Sequence, residues 1–390
     1  MINDLIKKQL NLLVFAYIFV VSVFPYLYSY FHVDLSKLII LLIVCLALPR
    51  AFLLLALTKN NRLHYKHLFL IIAFTIAYSS LILDKPINDV LKESYLFLAF
   101  SLLIQDEYFN TNNKWITALS YGGAFSGIAA LITYLKLIPV DRTSLVLYEK
   151  FNNDRTASFI DGNIGVLGVI TSLFLLLERK DRKIPSFLCL CLSFANVLLG
   201  EFRTYVFASI FMCVVFMLVS KTKVALKMRI IILILLIGTF FVTLDPAERF
   251  SSFFMRVNHI TNGSNSAAYR LAELEYESKL IENAPVLGNG WGIYTEHYIA
   301  NNLPEYGHNM YLSWMARIGI PLTVIIVFSY FMILKRNYYL YKKDKNPNLY
   351  LLSITSIIGF LAICILLDVT KMSVSFPLYA LLWNIRSTKI

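Results

Sequence analysis

Residues 349–367 read LYLLSITSIIGFLAICILL, a run without a single acidic or basic side chain. The hydrocarbon core of a bilayer is about 30 Å thick and takes roughly 20 apolar residues of helix to cross, so this stretch predicts a membrane-spanning α-helix. Working outward, runs of the same character occupy residues 12–28, 38–57, 68–83, 90–104, 115–135, 163–177, 185–199, 204–219, 230–244 and 310–334, and a shorter one occupies 374–383. With 58% of its 390 residues hydrophobic, the chain is too apolar for a soluble globular protein. The expectation is an all-α, polytopic membrane protein of about twelve spans, some tilted or re-entrant, in a single domain over residues 1–390. The first run follows Lys7 and Lys8 without a small-residue cleavage site, so it reads as a retained span.

Short cytoplasmic loops retain Lys and Arg during insertion, and nearly every second loop here is basic. Lys7 and Lys8, then Lys59, Arg62 and Lys66, then Arg179 to Lys183, then Lys221 to Arg229, then Lys335 to Lys345 alternate along the runs. Both termini are therefore expected in the cytoplasm. The net charge of +12 is this topology signal and gives no argument for a nucleic-acid partner. Two segments on the opposite, external side exceed the length of a turn: 136–163 and the long loop 245–309. Loops of that size in a compact domain are usually functional, so the chemistry is expected outside. Cys45, Cys189, Cys191, Cys213 and Cys364 all lie in apolar runs and read as packing residues; no metal site is expected.

The external side collects Arg142, Arg155, Arg203, Arg249, Arg256 and Arg270, against the tendency for positive charge to stay inside. A guanidinium offers a planar fork for phosphate and stays charged at low dielectric, which suits a diphosphate held at a membrane surface. The plainer alternative is pairing with Asp154, Glu201 and Glu248. Residues 266–283 read as an amphipathic helix opened by Asn265 or Ser266, with Ala267, Leu271, Leu274 and Ile281 on an apolar stripe. Arg270, Glu273 and Glu277 share another face, where a solvated charge pairing is the ordinary reading. The glycines of Pro285-Val286-Leu287-Gly288-Asn289-Gly290-Trp291-Gly292 then permit positive φ and close backbone approach to a ligand. His308 precedes the run that starts near Met310, where an imidazole could take a proton from a sugar hydroxyl or could be an interfacial residue without chemistry. Of the other histidines, His64 and His67 read as members of a cytoplasmic loop.

Together these segments resemble the O-antigen polymerase and O-antigen ligase superfamily of bacterial membrane glycosyltransferases. Asp154-Arg155-Thr156-Ala157-Ser158-Phe159 with Gly162-Asn163 resembles the family's first arginine segment, and Phe202-Arg203-Thr204 its second arginine turn. Tyr269-Arg270-Leu271 and the glycine loop resemble its arginine helix and following turn; Gly307-His308-Asn309-Met310-Tyr311-Leu312 with Gly319-Ile320 resembles its His-Asn motif. The family often has a glutamate just before that last glycine. This chain has Ala316-Arg317-Ile318-Gly319, leaving Arg317 as a further phosphate contact or a surface residue.

The resemblance implies a fold like that of the integral-membrane glycosyltransferases of the GT-C type. It implies inverting glycan transfer from an undecaprenyl-diphosphate donor to a sugar hydroxyl, with no metal and no cofactor. Arg155, Arg203, Arg270 and Arg249 would bind the diphosphate, Asn309 and Tyr311 would position substrate, and His308 would be the base, with Glu305 and Asp161 as rivals. The expected partners are the undecaprenyl-diphosphate-linked oligosaccharide, membrane lipid and a chain-length regulator protein. The expected setting is the bacterial inner membrane with the site on its periplasmic side. The wording of the motifs resembles a polymerase, which extends a lipid-linked repeat, more than a ligase, which transfers to lipid A-core. A polysaccharide flippase should instead have short loops on both sides, and a membrane O-acyltransferase should place polar motifs on the cytoplasmic face.

Overall fold

The computed structural model describes residues 2–31, 35–57, 66–105, 114–135, 137, 161–178, 183–199, 203–222, 265–294, 309–366, 375–383 and 385. Among the described residues all regular structure is helical. The elements are α1 (Ile2–Phe31), α2 (Leu35–Leu57), α3 (Lys66–Ala77, continued by a π-helical turn Tyr78–Ile82), α4 (Ile87–Gln105), α5 (Lys114–Tyr134), α6 (Gly162–Glu178), α7 (Lys183–Leu199) and α8 (Arg203–Val219). After them come α9 (Asn265–Asn283), α10 (Met310–Ile318), α11 (Ile320–Lys343), α12 (Pro347–Leu366), a 3₁₀ turn (Phe376–Leu378) and α13 (Tyr379–Trp383).

Among the described residues, three segments are long and apolar enough to cross a membrane: Lys114–Thr133, Ile320–Lys343 and Pro347–Ile365. Six shorter apolar helices accompany them: Lys8–Val23, Leu35–Pro49, His67–Ile82, Gly162–Glu178, Lys183–Leu199 and Thr204–Val219. The chain is a helical membrane protein. The apolar run 349–367 forms α12 through Leu366, and hydroxyls within it are absorbed by the helix: Thr355 Oγ1 donates to the Leu351 carbonyl at 2.7 Å and Ser356 Oγ to that of Ser353 at 2.8 Å. Such back-bonding lets Ser and Thr sit in an apolar helix without an unsatisfied donor.

Side-chain contacts tie the helix ends into two groups. At one end, Asn348 joins the close of α6 to that of α8, bonding Glu178 and accepting from the Lys221 amide at 3.2 Å, while the Tyr341 hydroxyl donates to the Val219 carbonyl at 3.0 Å. The basic segments after α8 and α11 start from this end. At the other end stand the starts of α6 and α8 and the 3₁₀ turn. Asp161 accepts from the Ser375 amide at 2.7 Å, and Asn163 bonds the hydroxyls of Tyr205 and Tyr379 at 3.3 and 3.1 Å. The start of α10 is likewise tied to the close of α12, through Asn309 and the Ile365 carbonyl at 3.1 Å.

The run 310–334, expected as one span, is broken into α10 and α11 at Gly319, whose φ is 82°. The break is imposed from outside the run: the Ile320 amide donates to the Pro285 carbonyl at 2.9 Å, and a Cβ at Gly319 would lie 2.1 Å from the Val286 oxygen. The run 374–383, expected as the last span, contributes among its described residues only the 3₁₀ turn and α13. At 1.5 Å per residue these are far too short to cross a bilayer. Instead they fill the core, with Phe376 stacked on Phe100 at 4.8 Å and Trp383 edge-on to Tyr330 at 5.1 Å. His67 also departs from expectation: it lies on α3, not in a loop, and its Nε2 bonds Ser329 of α11.

Candidate active site

The site develops where α9 and the glycine loop dock onto α3, α4 and α10. Arg317 of α10 and Glu93 of α4 are both fully buried, and the Arg317 Nε donates to Glu93 Oε2 at 2.9 Å. The guanidinium carbon stands 4.5 Å from the centre of the Tyr294 ring and 5.6 Å from that of Trp291, so aromatic faces complete its cage. Removing either partner of such a pair typically costs about 3–5 kcal/mol, because the other charge is left buried. Arg317 is therefore neither a surface residue nor an exposed phosphate contact; burial and Glu93 occupy it.

Tyr294 is the hub of this junction. Its amide donates to Glu93 Oε1 at 3.1 Å, its hydroxyl donates to Glu277 Oε1 of α9 at 2.8 Å, and its ring meets Arg317. Glu277 Oε1 also accepts from the Ser313 hydroxyl of α10 at 2.8 Å. Burial, followed by the Glu277 charge, pushes the Tyr294 phenol well above its ordinary value, so it stays a donor at all physiological pH.

Glu273 and Glu277 are 6% and 0% exposed, whereas Leu274 is 40% exposed. The two acids expected on a solvated face point inward, while of the expected apolar stripe Leu274 points out and Ile281 packs against the buried cluster of Leu280, Ile293, Tyr294 and Ala316. The reason is that Tyr294, Ser313 and Arg317 supply hydrogen bonds and positive charge from other elements, which an isolated amphipathic pattern cannot reveal.

The glycine loop makes its close approaches to the protein's own backbone. Asn289 and Gly290 amides donate to the Ala316 and Arg317 carbonyls, each at 2.8 Å, and a Cβ at Gly288 would lie 2.4 Å from the Arg317 carbonyl. Gly288, Gly290 and Gly292 all have positive φ. Trp291 then plugs into α3: its amide donates to Ser79 Oγ at 2.8 Å and its indole to Thr75 Oγ1 at 2.9 Å. Ser79 belongs to the π-helical turn, a local widening that often marks a functional contact.

Among the residues expected to act, Arg142, Arg155, Arg249, Arg256, Glu305 and His308 lie outside the described residues. So do the side chains of Arg203, which opens α8, and Arg270, which lies on α9. Asn309 is the N-cap of α10: its Oδ1 accepts from the amides of Tyr311 and Leu312 at 3.0 and 3.1 Å. The Tyr311 hydroxyl anchors to the Leu361 carbonyl of α12 at 3.0 Å. Asp161 accepts from the amides of Asn163 at 2.9 Å and Ser375 at 2.7 Å, one on each oxygen. The structure thus brings the Gly162-Asn163 segment against the helix opened by Arg203, and α9 against α10. Glu93 escaped the sequence reading. Its signal was a lone carboxylate inside an apolar run, which in a membrane segment calls for a partner.

Fold and junction together define a helical membrane protein with a buried charged junction beneath a motif-bearing end. Residues 187–327, from α7 through the first turns of α11, match the family model described as O-antigen ligase. That stretch is thus similar to the O-antigen polymerase and ligase superfamily, a family of glycosyltransferase-like enzymes, and the match agrees with the motifs. No curated protein matches the chain.

Proposed function

We propose that the protein is a polymerase of O-antigen or a related surface polysaccharide, transferring glycan from an undecaprenyl-diphosphate donor to a sugar hydroxyl of a lipid-linked repeat unit. The observation that carries this reading is that the matched stretch 187–327 contains α8, α9 and α10, the helices on or beside which Arg203, Arg270 and His308 stand. In the proposal the full chain crosses the bacterial inner membrane about twelve times in a GT-C-like arrangement, with both termini cytoplasmic and the motif-bearing end periplasmic. The partners are the lipid-linked oligosaccharide, surrounding lipid and a chain-length regulator.

In the transfer, the acceptor oxygen forms a bond to the anomeric carbon as the bond from that carbon to the phosphate oxygen breaks. Attack from the face opposite the phosphate inverts the anomeric configuration. The electron pair leaves with undecaprenyl diphosphate, whose charge Arg155, Arg203, Arg270 and Arg249 stabilise in the place a metal would take. The acceptor proton passes to His308, with Glu305 as its rival. Asp161 is the weaker rival, since both its oxygens are engaged by backbone amides. Asn309 and Tyr311 contribute by fixing the start of α10, directly after His308.

A ligase is the second reading, favoured by the description of the matched family. Proteoliposomes containing the purified protein and a lipid-linked repeat separate the two. A ladder of lipid-linked multimers supports the polymerase; transfer only when lipid A-core is supplied makes it a ligase. Flipping or acyl transfer without new glycosidic bonds removes it from both classes.

A further inference from the structure

We infer that Tyr294 is a positioning residue that holds the diphosphate-binding helix α9 in register with the helix that follows His308, an assignment that rests on the proposed glycan transfer. The coupling is built through one carboxylate. Glu277 stands two turns along α9 from Arg270, and its Oε1 accepts both the Tyr294 hydroxyl and the Ser313 hydroxyl, each at 2.8 Å. Ser313 is one turn into α10, whose N-cap Asn309 directly follows His308. One hydrogen bond, Ser313 to Glu277, therefore joins the helix that bears Arg270 to the helix that His308 leads into, and Tyr294 braces the same carboxylate while its ring packs on Arg317 of α10.

Tyr294 also fixes this carboxylate to the membrane core. Its amide is held by Glu93 of α4 and its ring by Arg317 of α10, so the hydroxyl is presented from a seat that neither α9 nor its own loop can move alone. All five side chains, of Glu93, Glu277, Tyr294, Ser313 and Arg317, are buried, which strengthens each bond and makes its loss costly. Transfer needs the anomeric carbon and the acceptor oxygen held in near-attack geometry, and a misplacement of about 1 Å can lower the rate on the order of 100-fold. A buried tether between the two helices supplies that alignment without touching substrate.

Tyr294→Phe deletes only the hydroxyl and keeps the ring on Arg317. In proteoliposomes it is expected to lower transfer roughly ten-fold, as loss of one hydrogen bond to a charged group would. The loss should appear as a raised donor KM together with a lowered kcat. Ser313→Ala should behave alike, while Glu277→Gln, which keeps a carbonyl acceptor for both hydroxyls, should recover most of the rate that Glu277→Ala loses. Hydrogen exchange of the intact protein gives a readout independent of the reaction: α9 should exchange faster in Tyr294→Phe than in wild type. Unchanged exchange of α9 overturns the tether. Faster exchange with wild-type KM and kcat overturns its role in transfer. If the wild-type protein transfers no glycan, the proposed function fails, and the exchange comparison still decides whether Tyr294 couples the two helices.

Discussion

Where α5, α6 and α7 meet, Gly123 approaches Gly168 so closely that an added Cβ would lie 2.4 Å from its Cα and 2.5 Å from Ser193 Oγ. Where α4, α9 and α10 meet, Arg317 lies between Glu93, Trp291 and Tyr294. The first contact is made of side chains that are almost absent. In a bilayer, where lipid competes with any apolar partner, small residues gain association by bringing backbones together, and polar pairs, Asn196 to Ser126 and Ser120 to Ser172, each at 2.7 Å, add direction. The second contact is made of large and charged groups, each packed against or bonded to another. A polypeptide that must seat a polar helix such as α9 on apolar helices cannot rely on apolar burial alone; charge and hydrogen bonds give it a single register. The three-helix packing is therefore a frame sensitive to bulk, and the junction a frame sensitive to charge.

The largest effect is expected at the junction. Arg317→Ala should lower stability by about 3–5 kcal/mol, seen as a lower melting temperature in detergent, because Glu93 is left charged and buried. Replacing both residues by Met should be markedly milder than either single change. A single Arg317→Ala no worse than the double variant would erase the distinction between the two regions.

Next comes the bulk-sensitive side. Gly127→Ala places a Cβ 1.8 Å from the Leu192 carbonyl oxygen, so α5 and α7 must separate. A cost of about 1–3 kcal/mol is expected, with no dependence on pH or salt. Little change in melting temperature would mean that the two helices are not held at that distance.

A smaller and more specific effect concerns pH. Burial and the Glu277 charge raise the Tyr294 phenol above the ordinary 10.0, so the native state holds this proton where the unfolded chain releases it. The stabilisation is fully present below pH 10 and is lost as pH rises beyond it, by up to about 1.4 kcal/mol per pH unit. Melting curves between roughly pH 9 and pH 11 should therefore fall more steeply for wild type than for Tyr294→Phe. Parallel curves for the two proteins would place the phenol in a less buried setting.

How much of this was legible in the sequence follows from where each constraint arises. The run LYLLSITSIIGFLAICILL announces α12 because its signal is its own composition, and the resemblance to the O-antigen polymerase and ligase superfamily is legible because the motifs keep their order along the chain, in agreement with the match over residues 187–327. The break at Gly319 was hidden, since the agent is the Val286 backbone, brought there by the glycine loop from elsewhere in sequence. The inward face of α9 was hidden for the same reason: Glu277 is a buried residue only in the company of Tyr294 and Ser313. Asn309 was read as a group for substrate, and its bonds to Tyr311, Leu312 and Ile365 show it holding the start of α10. Glu93 was overlooked because one carboxylate barely alters the apolar character of residues 90–104, although its pairing with Arg317 anchors the whole junction.

In the proposed transfer the junction is a scaffold and the acceptor proton passes to His308, which leads into it. The most direct test is the rate of glycan elongation in proteoliposomes for His308→Ala against wild type, at equal amounts of folded protein and with donor binding checked separately. The expected result is intact donor binding with elongation reduced by about 10²–10⁴-fold, the usual contribution of a general base. A reduction of only a few-fold, with Glu305→Gln abolishing elongation instead, would contradict the assignment and move the chemistry to the carboxylate.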